Sequence, residues 1–250
     1  MSQRAWVEQV MGLPVSIHLR GPRTREADVE AVVAAAYAEL RAVDGLFSTW
    51  RPDSEVSQLR RGERQLDGCD PMVREVVDLC EEARARTDRA FSAWLPDSAG
   101  ETRFDPTGLV KGWAADRAAA VLERAEGHAF CLNAGGDVVV GGRDAGDTVR
   151  EAGDGGRCWR IGIEDPRNRS CIAEVVELSR GAVATSGTAA RGHHLIDPAT
   201  GQAVTGDGSV SVVGSTLLWA DVWATALFVG PSALAGRLAT EQPGYRLVRL

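Results

Sequence analysis

Thr185-Ser-Gly-Thr-Ala-Ala-Arg-Gly-His-His-Leu-Ile-Asp-Pro-Ala-Thr-Gly201 is the stretch on which this chain turns. The run Ala182-Val-Ala-Thr-Ser186 leads into it as a strand. Asp197-Pro-Ala-Thr-Gly201 leaves it as a turn, in which Asp197 bonds its own downstream backbone, Pro198 fixes φ and Gly201 permits a positive φ. Between the two, a period of two puts His194 and Ile196 on one face and Leu195 on the other. Two of the four histidines in the protein, His193 and His194, fall here. A histidine beside a rigid Asp-Pro turn suits proton transfer near neutral pH. The same spacing fits a strand-end histidine bonded to a carbonyl, and spacing alone favours that plainer reading.

Working outward, Trp6 to Arg20 reads as two strand pieces broken at Met11-Gly-Leu-Pro14, with His18 on the polar, solvated face. Glu26 to Leu46 is an amphipathic helix with Val29, Val32, Val33, Tyr37, Leu40 and Val43 at helical spacing. Phe47 to Ser54 is a loop whose last residue caps a short helix through Leu59. Asp70-Pro71 opens another helix, a capping residue ahead of a first-turn proline. Phe91 to Thr107 is irregular, and a third helix, rich in alanine, covers Gly108 to Arg124. Strands are expected at Phe130 to Val140, Trp159 to Ile163, Cys171 to Leu178, Ala182 to Ser186 and Ser209 to Val213. Arg143 to Arg157, rich in Gly and Asp, is a surface loop. Helices over Leu217 to Val229 and Ser232 to Ala239 precede a closing strand, Tyr245 to Leu250. Strands and helices come in runs, so the class is α+β rather than a regularly wound α/β fold.

Composition narrows the function. At 250 residues the chain makes one large domain or two small ones, and roughly 70–75% of the unfolded surface can be buried without a staple. The balance of 28 basic and 35 acidic residues, net −7, argues against sequence-independent nucleic-acid binding, which needs a clustered basic surface. Five scattered cysteines without a CxxC indicate neither a zinc cluster nor a disulfide framework, and reduced thiols in the cytoplasm are the simpler reading. The N-terminus has no basic segment followed by an apolar core, and no apolar stretch is long enough to cross a bilayer.

Three further groupings carry chemistry. Asp105-Pro-Thr-Gly-Leu-Val-Lys-Gly-Trp-Ala-Ala-Asp116 puts a Gly-flanked lysine, Lys111, near a helix start, an anion site in outline or else a surface lysine at a helix entrance. It is not a Walker A loop. Asn133-Ala-Gly-Gly-Asp137 sets two glycines inside a strand pattern, implying a bulge or the close approach of a ligand. Ala220-Asp-Val-Trp-Ala-Thr225 places Asp221 and Thr225 four apart, so that both oxygens leave one helical face. That pair suits a hard cation such as Mg²⁺. It equally fits Asp221 capping the helix start and Thr225 bonding its i−4 carbonyl.

Together, and in this order, the motifs resemble the ApbE family of FAD:protein FMN transferases. Met11-Gly-Leu is similar to the family's Met-Gly-Thr, and Phe47-Ser-Thr-Trp-Arg-Pro-Asp-Ser-Glu-Val-Ser57 to its Phe-Ser-x-Tyr…Ser-Glu-x-Ser block. Gly108-Leu-Val-Lys-Gly-Trp-Ala-Ala-Asp116 is similar to Gly-x-Ala-Lys-Gly-Tyr-x-x-Asp, and Asn133-Ala-Gly-Gly-Asp137 to Asn-x-Gly-Gly-Asp. Thr185-Ser-Gly187, His194-Leu-Ile-Asp-Pro-Ala-Thr-Gly201 and Asp221 with Thr225 complete the series, which runs from about residue 6 to 250.

The resemblance implies one domain over residues 1–250, with mixed or antiparallel sheets, flanking helices and a flavin-nucleotide cleft. It implies transfer of FMN from FAD to a Ser or Thr hydroxyl of an acceptor protein, forming a phosphoester and releasing AMP. Asp221, Thr225 and the backbone carbonyl of Val110 (where the family usually has Ala) would hold Mg²⁺. His194 would be the base, Asp197 would orient its turn, and Lys111 would serve both catalysis and binding. Met11, Asp105, Thr185, Ser186 and Gly187 would line the flavin or phosphate path, with Phe47, Ser48 and Trp50 at one end of the dinucleotide. Departures from the family pattern fall at Arg60, where Asn is common, and at Ser92-Ala-Trp-Leu-Pro96. A third is the spacing of only six residues between Gly187 and His194. No lipoprotein signal precedes Met11, so a cytoplasmic enzyme without a membrane anchor is expected. Hydrolysis of FAD to FMN and AMP, or FAD binding without turnover, would use the same groups.

Overall fold

The computed structural model describes residues 2–21, 24–96, 100–143, 158–188 and 195–250. The chain opens with a hairpin, β1 (Ser2–Val10) and β2 (Leu13–Gly21), followed by helices α1 (Ala27–Phe47), α2 (Glu55–Arg60) and α3 (Pro71–Arg86). A small hairpin of β3 (Trp94–Pro96) and β4 (Thr102–Phe104) leads into helix α4 (Thr107–Leu122). Strands β5 (Ala129–Ala134), β6 (Asp137–Gly142), β7 (Trp159–Asp165), β8 (Asn168–Leu178), β9 (Gly181–Gly187) and β10 (Ser209–Gly214) follow. Helices α5 (Leu217–Val229) and α6 (Leu234–Glu241) and strand β11 (Arg246–Arg249) close the chain.

Seven strands form one sheet in the order β1-β2-β5-β6-β9-β10-β11, each antiparallel to its neighbours. The expected α+β class therefore stands, in its antiparallel form. Helices α1, α4 and α5 cover one face of the sheet, with α5 lying across β9 and β10. Trp223, Tyr37 and Phe130 are the largest fully buried side chains; burying a large apolar side chain stabilises by about 1.5–3 kcal/mol. On the other face the β7–β8 hairpin packs Ile163 and Val176 against Val183, Val213 and Val248.

Local chemistry sets several boundaries where the sequence puts them. Ser54 Oγ accepts from Ser57 N–H (3.0 Å) at the start of α2, and Asp70 Oδ1 accepts from Met72 N–H (2.8 Å) at the start of α3. The expected break between two strand pieces at Met11-Gly-Leu-Pro14 is present and narrows to a two-residue hairpin turn, Met11 and Gly12, with φ of 57° and 70° and Val10 opposite Leu13. Such turns require positive φ at both positions. Other expectations are corrected. Gly135 and Gly136 are not a bulge. They are the turn between β5 and β6, φ 63° and 108°, with Ala134 opposite Asp137 and Asn133 Oδ1 accepting from Gly136 N–H. The expected strand from Phe130 to Val140 is thus two strands. The irregular Phe91 to Thr107 contains the β3–β4 hairpin, where Trp94 and Phe104 pair with ring centroids 5.3 Å apart. His18, expected in solvent, is half-buried. Most of the expected Arg143 to Arg157 loop lies outside the described residues.

Both two-residue turns, the end of β9 and the start of β10 lie at one end of the sheet, because alternating antiparallel strands return there. Gly135 N–H donates to Pro14 O (3.1 Å) and ties the two turns together.

Candidate active site

The site is built where α4 and α5 touch. A side chain at Gly112 would place its Cβ 2.8 Å from the Leu217 carbonyl oxygen, so only glycine lets the two helices approach this closely. One turn further along α4, the Asp116 carboxylate accepts from Leu217 N–H (2.9 Å) and Leu218 N–H (2.8 Å). Those are orphan amides of the first turn of α5, capped here by a neighbouring helix instead of a local side chain. Burial pushes the Asp116 carboxyl up to about 6, against the downward pull of the two amides.

This contact brings Lys111 of α4 to Asp221 of α5, with Nζ 3.3 Å from Asp221 Oδ2. Asp221 is not a helix cap, as one reading of its spacing had it. It sits in the body of α5 and is 3% exposed. Thr225, one turn on, places Oγ1 3.0 Å from Ser186 Oγ on β9.

The Lys111 ammonium also pairs with Asp137 Oδ2. Asp137 belonged to a quoted motif but was not expected at the site. It begins β6 directly after the Gly135-Gly136 turn, and its other oxygen accepts from Thr185 N–H (2.9 Å). The one available signal was a carboxylate opening a run of buried apolar residues, since a buried charge needs a partner. Among the described residues the cleft thus holds two buried carboxylates, one ammonium and two hydroxyls.

The remaining expected residues divide. Ser186 faces α5, whereas Thr185, its neighbour, turns its hydroxyl to Ser211 Oγ (2.7 Å) on the other face, so Thr185 meets the cluster through its backbone. Gly187 lies against the Gly208 carbonyl, 2.9 Å from where a Cβ would stand. Asp105 Oδ1 accepts from Thr107 N–H (3.1 Å) and Thr107 Oγ1 (2.6 Å) at the entrance of α4. Its other oxygen faces Arg60 Nη1 at 3.7 Å, which gives the unusual arginine a partner. Val110 is buried immediately before Lys111, and Met11 is half-buried in its turn.

Phe47 is buried edge-on against Trp113, with centroids 5.6 Å apart, as part of the core. Ser48 presents its carbonyl to Ser54 Oγ (2.6 Å) and Ser57 Oγ (3.2 Å). Trp50 is 93% exposed, the one aromatic of that block open to a ligand.

Asp197 holds its turn as expected, accepting from Ala199 N–H (2.9 Å) and Thr200 Oγ1 (3.0 Å), and Gly201 has φ 69°. His194 lies outside the described residues. Its chain neighbour Leu195 is tied through its carbonyl to Val204 N–H (2.8 Å), and Thr188, before the undescribed stretch, donates to the Gly206 carbonyl (2.6 Å). Burial pushes the Cys80 thiol up to about 12 and Cys131 to about 11, so neither supplies a thiolate.

Comparison with known proteins follows the same lines. The sequence model of the ApbE family matches residues 11–96 and 92–248. A Klebsiella pneumoniae protein named FAD:protein FMN transferase is 26% identical over 87% of this chain and 76% of its own length. A Treponema pallidum protein of the same name is 33% identical over 69% of this chain, a match spanning 51% of that protein. In fold, the crystal structure of the ApbE protein from Thermotoga maritima superimposes with a TM-score of 0.80 at 21% identity, over 99% of this chain and 94% of that one. With nearly all of its length matched by the family's sequence model, the chain belongs to the ApbE family.

Proposed function

We propose that this protein is an FAD:protein FMN transferase that moves FMN from FAD to a Ser or Thr hydroxyl of an acceptor protein, with a divalent cation, and releases AMP. The observation that carries this reading is the α4–α5 seam, where Lys111, Asp221, Thr225 and Ser186 converge. The family membership and the names of the relatives support the reaction class.

The donor set fits Mg²⁺. Asp221 is a buried carboxylate, Thr225 and Ser186 offer hydroxyl oxygens, and among the described residues a second carboxylate, Asp137, shares the Lys111 ammonium. Hard oxygen donors of this kind are what Mg²⁺ takes, with substrate oxygens and water completing its shell. Asp221, Thr225 and the Val110 carbonyl would hold the ion. When bound, it would offset charge on the pyrophosphate.

The residues of the chain do the rest. Lys111 supplies a cation to the phosphates from the first turns of α4, where the helix dipole also favours an anion. Asp105 fixes the entrance of that helix, and Met11, Gly187 and the exposed ring of Trp50 offer surfaces to the dinucleotide. His194 removes the proton from the acceptor hydroxyl, and Asp197 sets the turn next to it. One sheet takes strands from both ends of the chain, which supports treating residues 1–250 as one domain. No described helix is long and apolar enough to cross a membrane. The five unbridged cysteines support a cytoplasmic setting.

The test is incubation of the pure protein with FAD, Mg²⁺ and an acceptor peptide of the form Asp-x-x-Ser/Thr-x-Ala-Thr. A fluorescent covalent adduct and stoichiometric AMP are expected, and His194→Ala should lower turnover by roughly 10²–10⁴ with FAD still bound. AMP released equally without acceptor would indicate hydrolysis. Intact FAD under every divalent cation would mean binding without turnover.

A further inference from the structure

The transfer reading counts the charge of Asp137 but gives that residue no role of its own. Its side chain and that of Asp221 are each 4% exposed, and the single Lys111 ammonium stands between them. The two carboxylates differ in freedom. Asp137 is fixed from behind by Thr185 N–H on a neighbouring strand of the sheet, whereas Lys111 hangs on a flexible four-carbon stem. An ammonium 3.3 Å from Asp221 Oδ2 occupies the charge environment that a cation bound to Asp221 would need.

We propose that Asp137 is a positioning residue that takes over Lys111 when a divalent cation claims Asp221. Lys111 is then the resident counter-ion of the metal carboxylate. Asp137 lowers the cost of displacing it and keeps it in the cleft, available to phosphate. Metal binding to the nucleotide-free protein is a competition with an internal ammonium, and the outcome depends on the second carboxylate. The inference rests on the reading of Asp221 as a cation ligand given above.

Mn²⁺, which takes the same hard oxygen ligands, is the probe, with free Mn²⁺ followed by electron paramagnetic resonance in the absence of FAD. Asp137→Asn removes the charge but keeps an oxygen for Thr185 N–H, and Lys111→Met removes the competitor while keeping the stem. Lys111→Met should tighten Mn²⁺ binding at least about fivefold by removing an adjacent positive charge. Asp137→Asn should weaken it about tenfold with Lys111 present, but only about threefold when Lys111 is already Met, the difference being the coupling between the two residues.

Equal losses in the two backgrounds would overturn the proposal, since Asp137 would then act as a bare charge or as scaffold. Unchanged or weaker Mn²⁺ binding in Lys111→Met would overturn it too, whether or not Asp137→Asn folds. A wild-type protein that takes up no Mn²⁺, with or without FAD, would sink this proposal and the transfer reading together. Equal uptake by wild type and Lys111→Met would remove the competition alone.

Discussion

Thr185 and Ser186 are consecutive residues of β9, yet they serve opposite faces of one sheet. Ser186 meets Thr225 on α5, beside the buried charges of Lys111, Asp137 and Asp221. Thr185 meets Ser211 on the face closed by the apolar β7–β8 hairpin. Both contacts are hydroxyl pairs at a strand end. Among the described residues only the Ser186–Thr225 pair stands beside the Lys111, Asp137 and Asp221 charges, which is why the proposed phosphate chemistry is assigned to that face. The difference comes from what packs above each face: on one, a glycine-seated pair of helices that holds charge, and on the other a cluster of valines and isoleucines that cannot.

The sharpest way to break this contrast is to take the charge out of the helical face. Asp221→Ala should cost several kcal/mol of charge stabilisation, about 10²–10³ in turnover, with a steep rise in the Mg²⁺ requirement. A titration of turnover against Mg²⁺ checks this, and an unchanged metal dependence would remove Asp221 from the site. Next is the seam itself. Gly112→Ala drives a methyl group into the Leu217 carbonyl, and over-packing of this kind costs about 1–3 kcal/mol, measurable by urea denaturation.

Asp116 sharpens the same seam through pH. Its folded value, about 6, lies above the ordinary carboxylate value of 3.8, so the folded state holds its proton more tightly than the unfolded state does. The group therefore adds relative stability as pH falls from about 6 to 4 and loses it as pH rises. At about 1.36 kcal/mol per pKa unit, wild type should gain about 2 kcal/mol over Asp116→Asn between pH 7 and pH 4. Parallel stability curves for the two proteins would contradict this.

The smallest expected effect compares the neighbours directly. Ser186→Ala should raise the metal requirement by a few-fold with little loss of stability. Thr185→Val should leave the metal requirement alone but lower stability by about 1–3 kcal/mol, because Ser211 loses its buried partner. Metal titrations and melts on both variants separate the two faces.

Much of this architecture is legible in the sequence because its causes are local. Ser54 and Asp70-Pro71 announce helix starts through their own side chains, and Asp197-Pro198 with Gly201 announces a turn through its own backbone. The errors share a different origin. Whether Gly135-Gly136 is a bulge or a turn depends on which strand lies opposite, which neighbouring residues do not specify. The role of Asp116 is to cap amides 101 residues away, and that of Asp137 is to meet a backbone N–H 48 residues away. No periodicity records such distances. Asp221 is ambiguous in sequence because four-residue spacing fits a cap or a site residue; the start of α5 at Leu217 excludes the cap, and the partner Lys111 arrives on another helix. Arg60 departs from the family pattern in sequence, and its contact with Asp105 becomes visible only when α2 and α4 are in place.

The most direct test of the whole account is anomalous diffraction from crystals soaked with Mn²⁺ and FAD. The account requires a Mn²⁺ peak on the helical face of the sheet, between Asp221 and Thr225, with the FAD pyrophosphate against it. A peak on the Thr185–Ser211 face, or FAD bound away from the α4–α5 seam, would contradict it.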